Sequence, residues 1–199
     1  MVHVYYTNLA DFISEENLVK LTCFPKEFGV KWSGISSHKQ RVQSQLSKIL
    51  LVDAFKALGL SLEELMSYQV SEMGKPDIDS DNYFSISHSD DVVVVAVSES
   101  PIGVDVQSRV TKSDNVLGRV CSLVELEFFS SKEKLWTRKE AVVKLFGDSI
   151  MNGKKYDVSQ DDNTAYQISS FELENEMSCS IALEKDKVIG NVNVNFIQY

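Results

Sequence analysis

A run of six small and β-branched residues constrains the fold of this chain more than any other feature. Positions 92–97 read Val-Val-Val-Val-Ala-Val, without a polar interruption. Such a run is typical of a strand that is buried on both faces, because an exposed face brings in polar residues at every second position. The run therefore predicts a central strand that is covered by apolar layers on both sides.

Further strands are predicted on either side of this run. Residues 83–87 form an extended segment that Ser89-Asp90-Asp91 joins to the apolar run, which predicts a hairpin. After Pro101, apolar and polar residues alternate over residues 102–107, which predicts a strand with one apolar face. In the tail, three segments predict strands of one meander, at residues 166–173, 178–183 and 192–196.

Helical periodicity appears in two long segments. Over residues 42–58, apolar residues recur at helical spacing and Gly59 follows, which predicts a core helix. A second helical region is predicted over residues 123–146, where Gly147 ends an apolar stripe. Residues 63–68 predict a short helix between these two regions.

The order of elements is helix and strands, then helix and strands again. We therefore expect an α+β protein with antiparallel sheets. The seam falls near residues 98–101, which divides the chain into an N-terminal half, 1–98, and a C-terminal half, 99–199. No sequence repeat is visible across the seam.

Composition limits the function classes. A net charge of −9 argues against general nucleic-acid binding, although a basic cluster occurs over residues 132–155. No segment has the apolar length that spans a bilayer, and the first residues carry no basic leader, so we expect a cytoplasmic protein without a membrane partner. The three cysteines are far apart, which predicts reduced thiols. With only three histidines, any metal should be bound by oxygen ligands.

Two arrays of polar residues are presented from regular elements. On the strand over 102–107, Asp105 and Gln107 project on the same side, so the strand holds a polar pair rigidly. On the second helix, Trp136, Glu140 and Lys144 are spaced four apart and line one face. Taken alone, the carboxylate and ammonium of this face are equally typical of an exposed ion pair.

Four short motifs occur in order between residues 70 and 147: Gly74-Lys75-Pro76, then Phe84-Ser85-Ile86-Ser87-His88-Ser89, then Gly103-Val104-Asp105-Val106-Gln107, and finally Trp136-Thr137-Arg138-Lys139-Glu140-Ala141-Val142-Val143-Lys144. Each motif is weak alone, but this order resembles the signature of the 4′-phosphopantetheinyl transferase superfamily in its Sfp-type, double-length branch. The resemblance implies two pseudo-equivalent halves, each with an antiparallel sheet on a long helix, and a monomer with a coenzyme A cleft between the halves.

The resemblance also implies a reaction and a site. A serine of an apo acyl or peptidyl carrier protein would attack the pantetheine-side phosphate of coenzyme A, with Mg²⁺ held by Asp105, Gln107 and Glu140. Glu140 would accept the serine proton, and Lys144 would stabilise the leaving phosphate. Three residues resemble the coenzyme A contacts of the family, namely Lys75, Ser87 and His88. Taken alone, Lys75 is also typical of a solvated lysine in a turn, and His88 of a hydrogen-bonded histidine at the end of a strand.

The sequence departs from the family pattern at two positions. Many relatives have an acid where this chain has Gln107, and a common arginine is replaced by Ser44. Basic residues before or at the start of the first long helix are candidates for the 3′-phosphate of coenzyme A: Lys31, Lys39 and Arg41. Two alternatives stay open, namely a relative that binds coenzyme A or a carrier protein without catalysis, and an unrelated magnesium-dependent phosphotransferase built on Asp105 and Glu140. The basic cluster over 132–155 is a candidate docking surface for an acidic carrier.

Overall fold

The computed structural model describes residues 1–9, 13–26, 34–72, 74–108, 114–185 and 191–199. The strands within these residues are β1 (Val2–Asn8), β2 (Gln69–Val70), β3 (Pro76–Asp77), β4 (Tyr83–Ser89), β5 (Val92–Ser98), β6 (Ile102–Gln107), β7 (Tyr166–Leu173), β8 (Met177–Glu184) and β9 (Val192–Phe196). The α-helices are α1 (Glu15–Val19), α2 (His38–Ala57), α3 (Asp114–Val120), α4 (Leu123–Phe128) and α5 (Lys132–Leu145). Short 3₁₀ segments lie at Lys20–Cys23, Leu62–Ser67, Ile150–Lys155 and Glu174–Glu176.

Two main sheets carry the fold. The first has the strand order β4-β5-β1-β9, and the second has the order β6-β8-β7. All pairs within them are antiparallel except β1 with β9, which is parallel. A separate two-stranded ribbon joins β2 to β3. The predicted class, α+β with antiparallel sheets, is confirmed.

The apolar run forms the strand that the sequence predicts. β5 lies between β4 and β1, and every one of its residues is buried. Val93, Val95 and Val97 pack into one core with α2, whereas Val92, Val94 and Ala96 pack into a second core against the other sheet. The continuous run is therefore explained by two apolar layers, one on each face of β5.

The layers follow one another as α2, the first sheet, the second sheet and α5. The middle core joins both sheets, since Val4 and Val94 of one pack in the same cluster as Val104 and Ile181 of the other. A third core lies on the outer side of the second sheet and contains Val142 of α5. The pseudo-equivalence of two halves and the boundary near residue 98 stay predictions.

The second helical region is not continuous. The sequence predicts one helix over 123–146, but the structure has α4 and α5 with a break between them. Phe129 adopts an extended conformation with φ −91° and ψ 120°, and Ser131 then caps α5 by accepting a hydrogen bond from the backbone N–H of Lys134. The N-cap serine therefore starts a new helix.

The predicted pairing partner of the last strand, β9, is also wrong. β9 was expected in one meander with β7 and β8, but it pairs in parallel with β1 at the edge of the first sheet. The alternation of residues 192–196 indicates a strand but carries no information about which sheet it joins. Five other strands, β4 to β8, and helix α2 lie close to where the sequence predicts them, whereas β1, β2 and β3 were not predicted. The short helix predicted over 63–68 is a 3₁₀ segment, Leu62–Ser67.

The three cysteines, Cys23, Cys121 and Cys179, are free thiols. Among the helices of the described residues, none combines the length and the apolar character needed to cross a membrane.

Candidate active site

The candidate site lies where the edge strands of the two sheets meet. β4 is at the edge of the first sheet and β6 is at the edge of the second. The two strands are not paired by a backbone ladder, so the outer edge of β6 leaves backbone groups that need other partners. Side chains of β4 and α5 supply these partners.

Alternate serines of β4 bind the edge of β6. Ser85 accepts a hydrogen bond from the backbone N–H of Val104, with 3.1 Å between Oγ and N. Ser89 accepts a longer one, of 3.4 Å, from the backbone N–H of Ser108. Ser85, Ser87 and Ser89 are all buried, and they share one face of β4 because side chains alternate along a strand. The alternate serines of the motif thus join the edges of the two sheets, and we call this contact the seam.

Asp105 is at the centre of this seam. Its side chain is only 2 % exposed. Its Oδ1 atom accepts a hydrogen bond of 2.7 Å from the Ser87 hydroxyl and lies 2.7 Å from the Lys144 Nζ atom. Lys144 also donates to Ser87 Oγ and to the Val104 carbonyl, both at 3.1 Å. The buried carboxylate therefore has an opposite charge and a hydroxyl donor, as burial of a charge requires.

Gln107 holds the second oxygen of this carboxylate. Its Nε2 atom lies 3.4 Å from Asp105 Oδ2, and its Oε1 atom accepts a hydrogen bond of 3.2 Å from the Ser89 hydroxyl. The amide thus connects β6 to β4 through a side chain that is partly exposed.

A glycine brings α5 close to this strand. A Cβ atom on Gly103 would lie 1.9 Å from the Ala141 carbonyl oxygen and 2.6 Å from the Leu145 nitrogen. Only a residue without a side chain permits this approach. The approach sets α5 against β6, so that Lys144 reaches Asp105.

Glu140 and Lys144 line a pocket of about 330 Å³ beside the seam. The other residues that line it come from the Gly-Lys-Pro turn, from β4 and from the segment after α5: Gly74, Lys75, Pro76, Ser85, Ile86, Val143, Gly147, Asp148, Ser149 and Ile150. Hydrogen bonds from Asn152, the Ser149 backbone and Tyr156 lower the pKa of Asp148 to about 2, so this carboxylate is ionised at neutral pH. The pocket thus offers two cations and two carboxylates.

Lys75 is fixed against the end of α5. Its Nζ atom donates a hydrogen bond of 3.3 Å to the Leu145 carbonyl, and Gly74 before it has a φ of 83° that favours glycine. Burial lowers the pKa of Lys75, although the negative charges of Asp77 and Glu184 oppose this shift.

His88 lies on the opposite face of β4 from Ser87, because neighbouring strand residues alternate. The residue has solvent-accessible surface, but neighbouring groups crowd its ring. Desolvation and then the positive charges of Lys144 and Lys48 lower its pKa below the ordinary value of 6.5, so it is largely neutral at pH 7. The structure therefore brings Asp105, Ser87, Gln107 and Lys144 into one network, and places His88 beside that network on the other side of β4.

The side-chain oxygen atoms of the site are of the chemical type that Mg²⁺ prefers as ligands. Asp105 and Glu140 offer carboxylates and Gln107 offers an amide oxygen, which are hard ligands. Among the described residues, no group of three or more His, Cys, Asp and Glu side chains is arranged to hold a metal ion. Two carboxylates and one amide are fewer oxygen ligands than Mg²⁺ takes, so a magnesium ion at this site would need further oxygen ligands from outside the chain.

The basic cluster over 132–155 is not the uniform surface that the sequence suggests. Arg138 is 1 % exposed and donates to the Val158 carbonyl at 2.8 Å. Lys139 is fully buried and forms a 2.5 Å ion pair with Glu125, which is 1 % exposed. These two cations belong to the protein interior. The remaining lysines of the cluster are exposed: Lys132, Lys134, Lys154 and Lys155; Lys144 is half-buried.

The Glu125–Lys139 pair was not found by sequence reasoning. Its signal is the Ser122-Leu123-Val124-Glu125 capping box, in which Glu125 accepts from the Ser122 backbone N–H at 2.8 Å. Of the candidates for the 3′-phosphate, Lys39 forms an exposed ion pair with Asp91, Arg41 is partly exposed on α2, and Lys31 lies outside the described residues.

Comparisons with known proteins identify the sequence pattern of this site. Residues 101–194, which include β6 and α5, match the family model of the 4′-phosphopantetheinyl transferase superfamily. The chain is 30% identical over 123 residues to the 4′-phosphopantetheinyl transferase gsp of Aneurinibacillus migulanus, and 31% identical over 126 residues to a 4′-phosphopantetheinyl transferase of Bacillus subtilis. These matches confirm the resemblance to this superfamily that the four motifs indicate.

The matched regions are partial. They cover 56% and 57% of this chain, and 51% and 56% of the two relatives. The chain thus spans about half the length of the curated relatives it matches.

Proposed function

We propose that this chain, which resembles 4′-phosphopantetheinyl transferases over about half of its length, transfers the 4′-phosphopantetheine arm of coenzyme A to a serine of an apo carrier protein. The observation that carries the proposal is the Lys144–Asp105–Ser87 network, which lies beside a pocket that also presents Lys75 and Glu140. A pyrophosphate needs cations on its oxygens and a nearby carboxylate, and this site offers both.

The chemistry assigned to this geometry is a displacement at phosphorus. The carrier serine oxygen forms a bond to the pantetheine-side phosphorus, the bond from that phosphorus to the bridging oxygen breaks, and 3′,5′-ADP leaves. Glu140 accepts the serine proton. Lys144, whose ammonium is already held in the seam, neutralises the charge that develops on the leaving phosphate.

Asp105, Gln107 and Glu140 are the residues that would hold Mg²⁺. The ion, when bound, would neutralise the pyrophosphate charge. Lys144 Nζ lies 2.7 Å from Asp105 Oδ1 and supplies a positive charge beside this buried carboxylate. We expect Lys75 and Ser87 to bind coenzyme A phosphates and His88 to donate a hydrogen bond as a neutral ring.

The second candidate function is a relative that binds coenzyme A or a carrier protein without transfer. Gln107 favours it, since the amide oxygen is engaged by the Ser89 hydroxyl and an amide is a weaker magnesium ligand than a carboxylate.

We propose that an acidic carrier docks on the exposed lysines of the basic cluster, without Arg138 and Lys139: Lys132, Lys134, Lys154 and Lys155. The first proposal, of a transferase, also includes that the enzyme is monomeric and cytoplasmic.

Asp105→Ala tests the proposal. We expect turnover to fall below detection and magnesium dependence to disappear, because the variant removes the metal carboxylate and the partner of Lys144 together. The measurement is intact-protein mass spectrometry of apo carrier domains after incubation with coenzyme A and Mg²⁺, where transfer adds the mass of the arm.

The matched control is Asp81→Ala, which removes an exposed carboxylate in the turn before β4. It should transfer the arm as the original protein does. Normal turnover by Asp105→Ala would contradict the metal assignment. Coenzyme A binding by calorimetry, without a mass gain on any carrier, would instead favour the non-catalytic relative.

A further inference from the structure

Asp105 has hydrogen-bond donors on both of its carboxylate oxygens. The Ser87 hydroxyl and the Lys144 ammonium each lie 2.7 Å from Oδ1, and the Gln107 amide nitrogen lies 3.4 Å from Oδ2. The carboxylate is buried, so Lys144 balances its negative charge inside the protein. A divalent cation at Asp105 would have to take the place of this lysine.

Lys144 lies between the carboxylate and the pocket. Its side chain is 27% exposed and lines the pocket of about 330 Å³ together with Glu140 and Lys75. Asp105 is not among the described residues that line that pocket. An ion that enters from the pocket therefore meets the Lys144 ammonium before it meets Asp105.

Lys144 and a divalent cation are alternative partners of Asp105. Two cations that share one buried carboxylate repel each other strongly, because charges interact over a short distance in a medium of low dielectric constant. The other acceptors of Lys144 are neutral, namely Ser87 Oγ and the Val104 carbonyl, both at 3.1 Å. A neutral acceptor binds an ammonium less strongly than a carboxylate does, so Asp105 is the partner that holds Lys144 in place.

Gln107 adds a second contact that closes the carboxylate. Its Nε2 atom faces Asp105 Oδ2, while its Oε1 atom accepts a hydrogen bond of 3.2 Å from the Ser89 hydroxyl. Mg²⁺ takes oxygen ligands, so the amide nitrogen cannot serve. The amide must therefore turn before Gln107 can bind the ion, and Lys144 must leave before Asp105 can.

A phosphate group in the pocket would give Lys144 another partner. The ammonium is carried on a flexible four-carbon stem and has three rotatable donors, so it can change its partner by side-chain rotation. Lys75 lines the same pocket and brings a second cation to any phosphate there. Negative charge in the pocket thus favours movement of the Lys144 ammonium away from Asp105.

We propose that Lys144 competes with Mg²⁺ for Asp105, and that coenzyme A opens the magnesium site by drawing Lys144 to its pyrophosphate. The protein then binds Mg²⁺ weakly on its own and tightly once a pyrophosphate has engaged the lysine. Because coupling between two ligands is reciprocal, Mg²⁺ also strengthens the binding of coenzyme A. This inference rests on the proposed function, since it takes coenzyme A as the ligand.

Calorimetry with Mg²⁺ alone tests the competition without the affinity of phosphate for the ion. Lys144→Gln removes the charge but keeps an N–H donor for Asp105, so we expect the Kd for Mg²⁺ to fall at least about tenfold. Addition of Asp105→Asn to this variant should abolish the gain. The matched control is Lys134→Gln, the same change at an exposed lysine of the same helix, which should alter the Kd less than about twofold.

Nuclear magnetic resonance of the lysine ¹⁵Nζ atoms tests the exchange in the original protein, so it does not depend on the stability of Lys144→Gln. Lys144→Arg keeps the positive charge and identifies the Lys144 signal as the one that disappears. We expect coenzyme A alone to shift this signal, and Mg²⁺ alone to leave it unchanged.

Equal Kd values for Mg²⁺ in the original protein and in Lys144→Gln would overturn the inference. A gain that survives Asp105→Asn, an equal gain in Lys134→Gln, or a shift of the Lys144 signal by Mg²⁺ alone would overturn it as well. Absence of coenzyme A binding would instead overturn the proposed function, whereas the measurements with Mg²⁺ alone would still decide whether Lys144 competes for Asp105.

Discussion

Gly103 shows how a single residue sets the site. Its backbone touches the backbone of α5, and this contact brings Lys144 to Asp105. The sequence places the glycine in a motif, but the close approach that requires it is visible only in the structure. The residue thus positions Lys144 against Asp105 through the backbone of α5.

Gly103→Ala tests this contact. We expect a loss of about 1–3 kcal/mol in the free energy of unfolding, because an added methyl group overpacks the interface between β6 and α5. Transfer activity should also fall, since α5 must shift away from Asp105. Chemical denaturation and the mass-spectrometric transfer assay measure the two effects.

Gly118→Ala is the matched control. Gly118 lies within α3, and a Cβ atom there would meet nothing within 4 Å. Removal of a helical glycine should raise stability by roughly 0.5–1 kcal/mol. A destabilisation of the same size in both variants would contradict the role assigned to Gly103.

Arg138 is a residue whose role the sequence misassigns. It was expected at a basic surface, but its guanidinium is buried and binds the Val158 carbonyl and, at 2.7 Å, the Gln160 carbonyl. An ion pair with Asp161 at 2.6 Å adds little, because that carboxylate is 82% exposed. Charge alone does not reveal whether a cation faces solvent or the interior.

Arg138→Met should therefore destabilise the fold. The buried Val158 carbonyl would lose its donor, which costs about 1–3 kcal/mol. Lys134→Met, at an exposed residue one turn earlier in α5, should change stability by less than about 0.5 kcal/mol. Thermal unfolding compares the two variants, and equal melting temperatures would show that Arg138 is not a structural anchor.

At the scale of elements, the Glu125–Lys139 pair joins α4 to α5 and to the segment after α5. Lys139 Nζ also donates to the Tyr156 carbonyl at 2.5 Å, and Glu125 accepts from the Val158 N–H at 2.8 Å. Both charged groups are out of water, so each depends on the other. The break between the two helices is fixed by this pair as well as by the Ser131 cap.

Lys139→Met should cost about 3–5 kcal/mol, because it leaves Glu125 buried without a counter-charge. The double variant with Glu125→Leu should recover part of this loss, since it removes both charges. Urea unfolding of the two single variants and the double variant gives the coupling energy. Simple additivity of the two single losses would contradict a direct interaction.

At the scale of the whole molecule, the two sheets share their middle core. Val94 of β5 and Ile181 of β8 are fully buried and lie in one cluster, although they belong to different sheets. The serine seam between β4 and β6 adds hydrogen bonds to this contact. We therefore expect the sheets to unfold together.

Val94→Ala and Ile181→Val should each lower the midpoint of one common transition. Ile→Val removes one buried carbon and costs about 0.5–1.5 kcal/mol. Val→Ala removes two, so we expect it to cost roughly twice as much. Far-ultraviolet and near-ultraviolet circular dichroism should follow the same curve in each variant. Two separate transitions would show that the sheets are independent units.

The sequence by itself predicted several strands, helix α2 and a set of candidate site residues. Alternation around Asp105 predicts β6, spacing by four predicts the face with Glu140 and Lys144, and four ordered motifs indicate the superfamily. These features depend on neighbours in the chain, so periodicity reveals them. The apolar run of β5 also predicts layers on both faces.

Only the tertiary structure decided which surfaces meet. It placed β9 beside β1, turned Arg138 and Lys139 inward, and used Ser85, Ser87 and Ser89 to join two sheet edges. Each of these depends on contacts between segments far apart in the chain. Propensity and charge describe a residue, whereas burial and pairing describe its partners, and those exist only once the layers have packed.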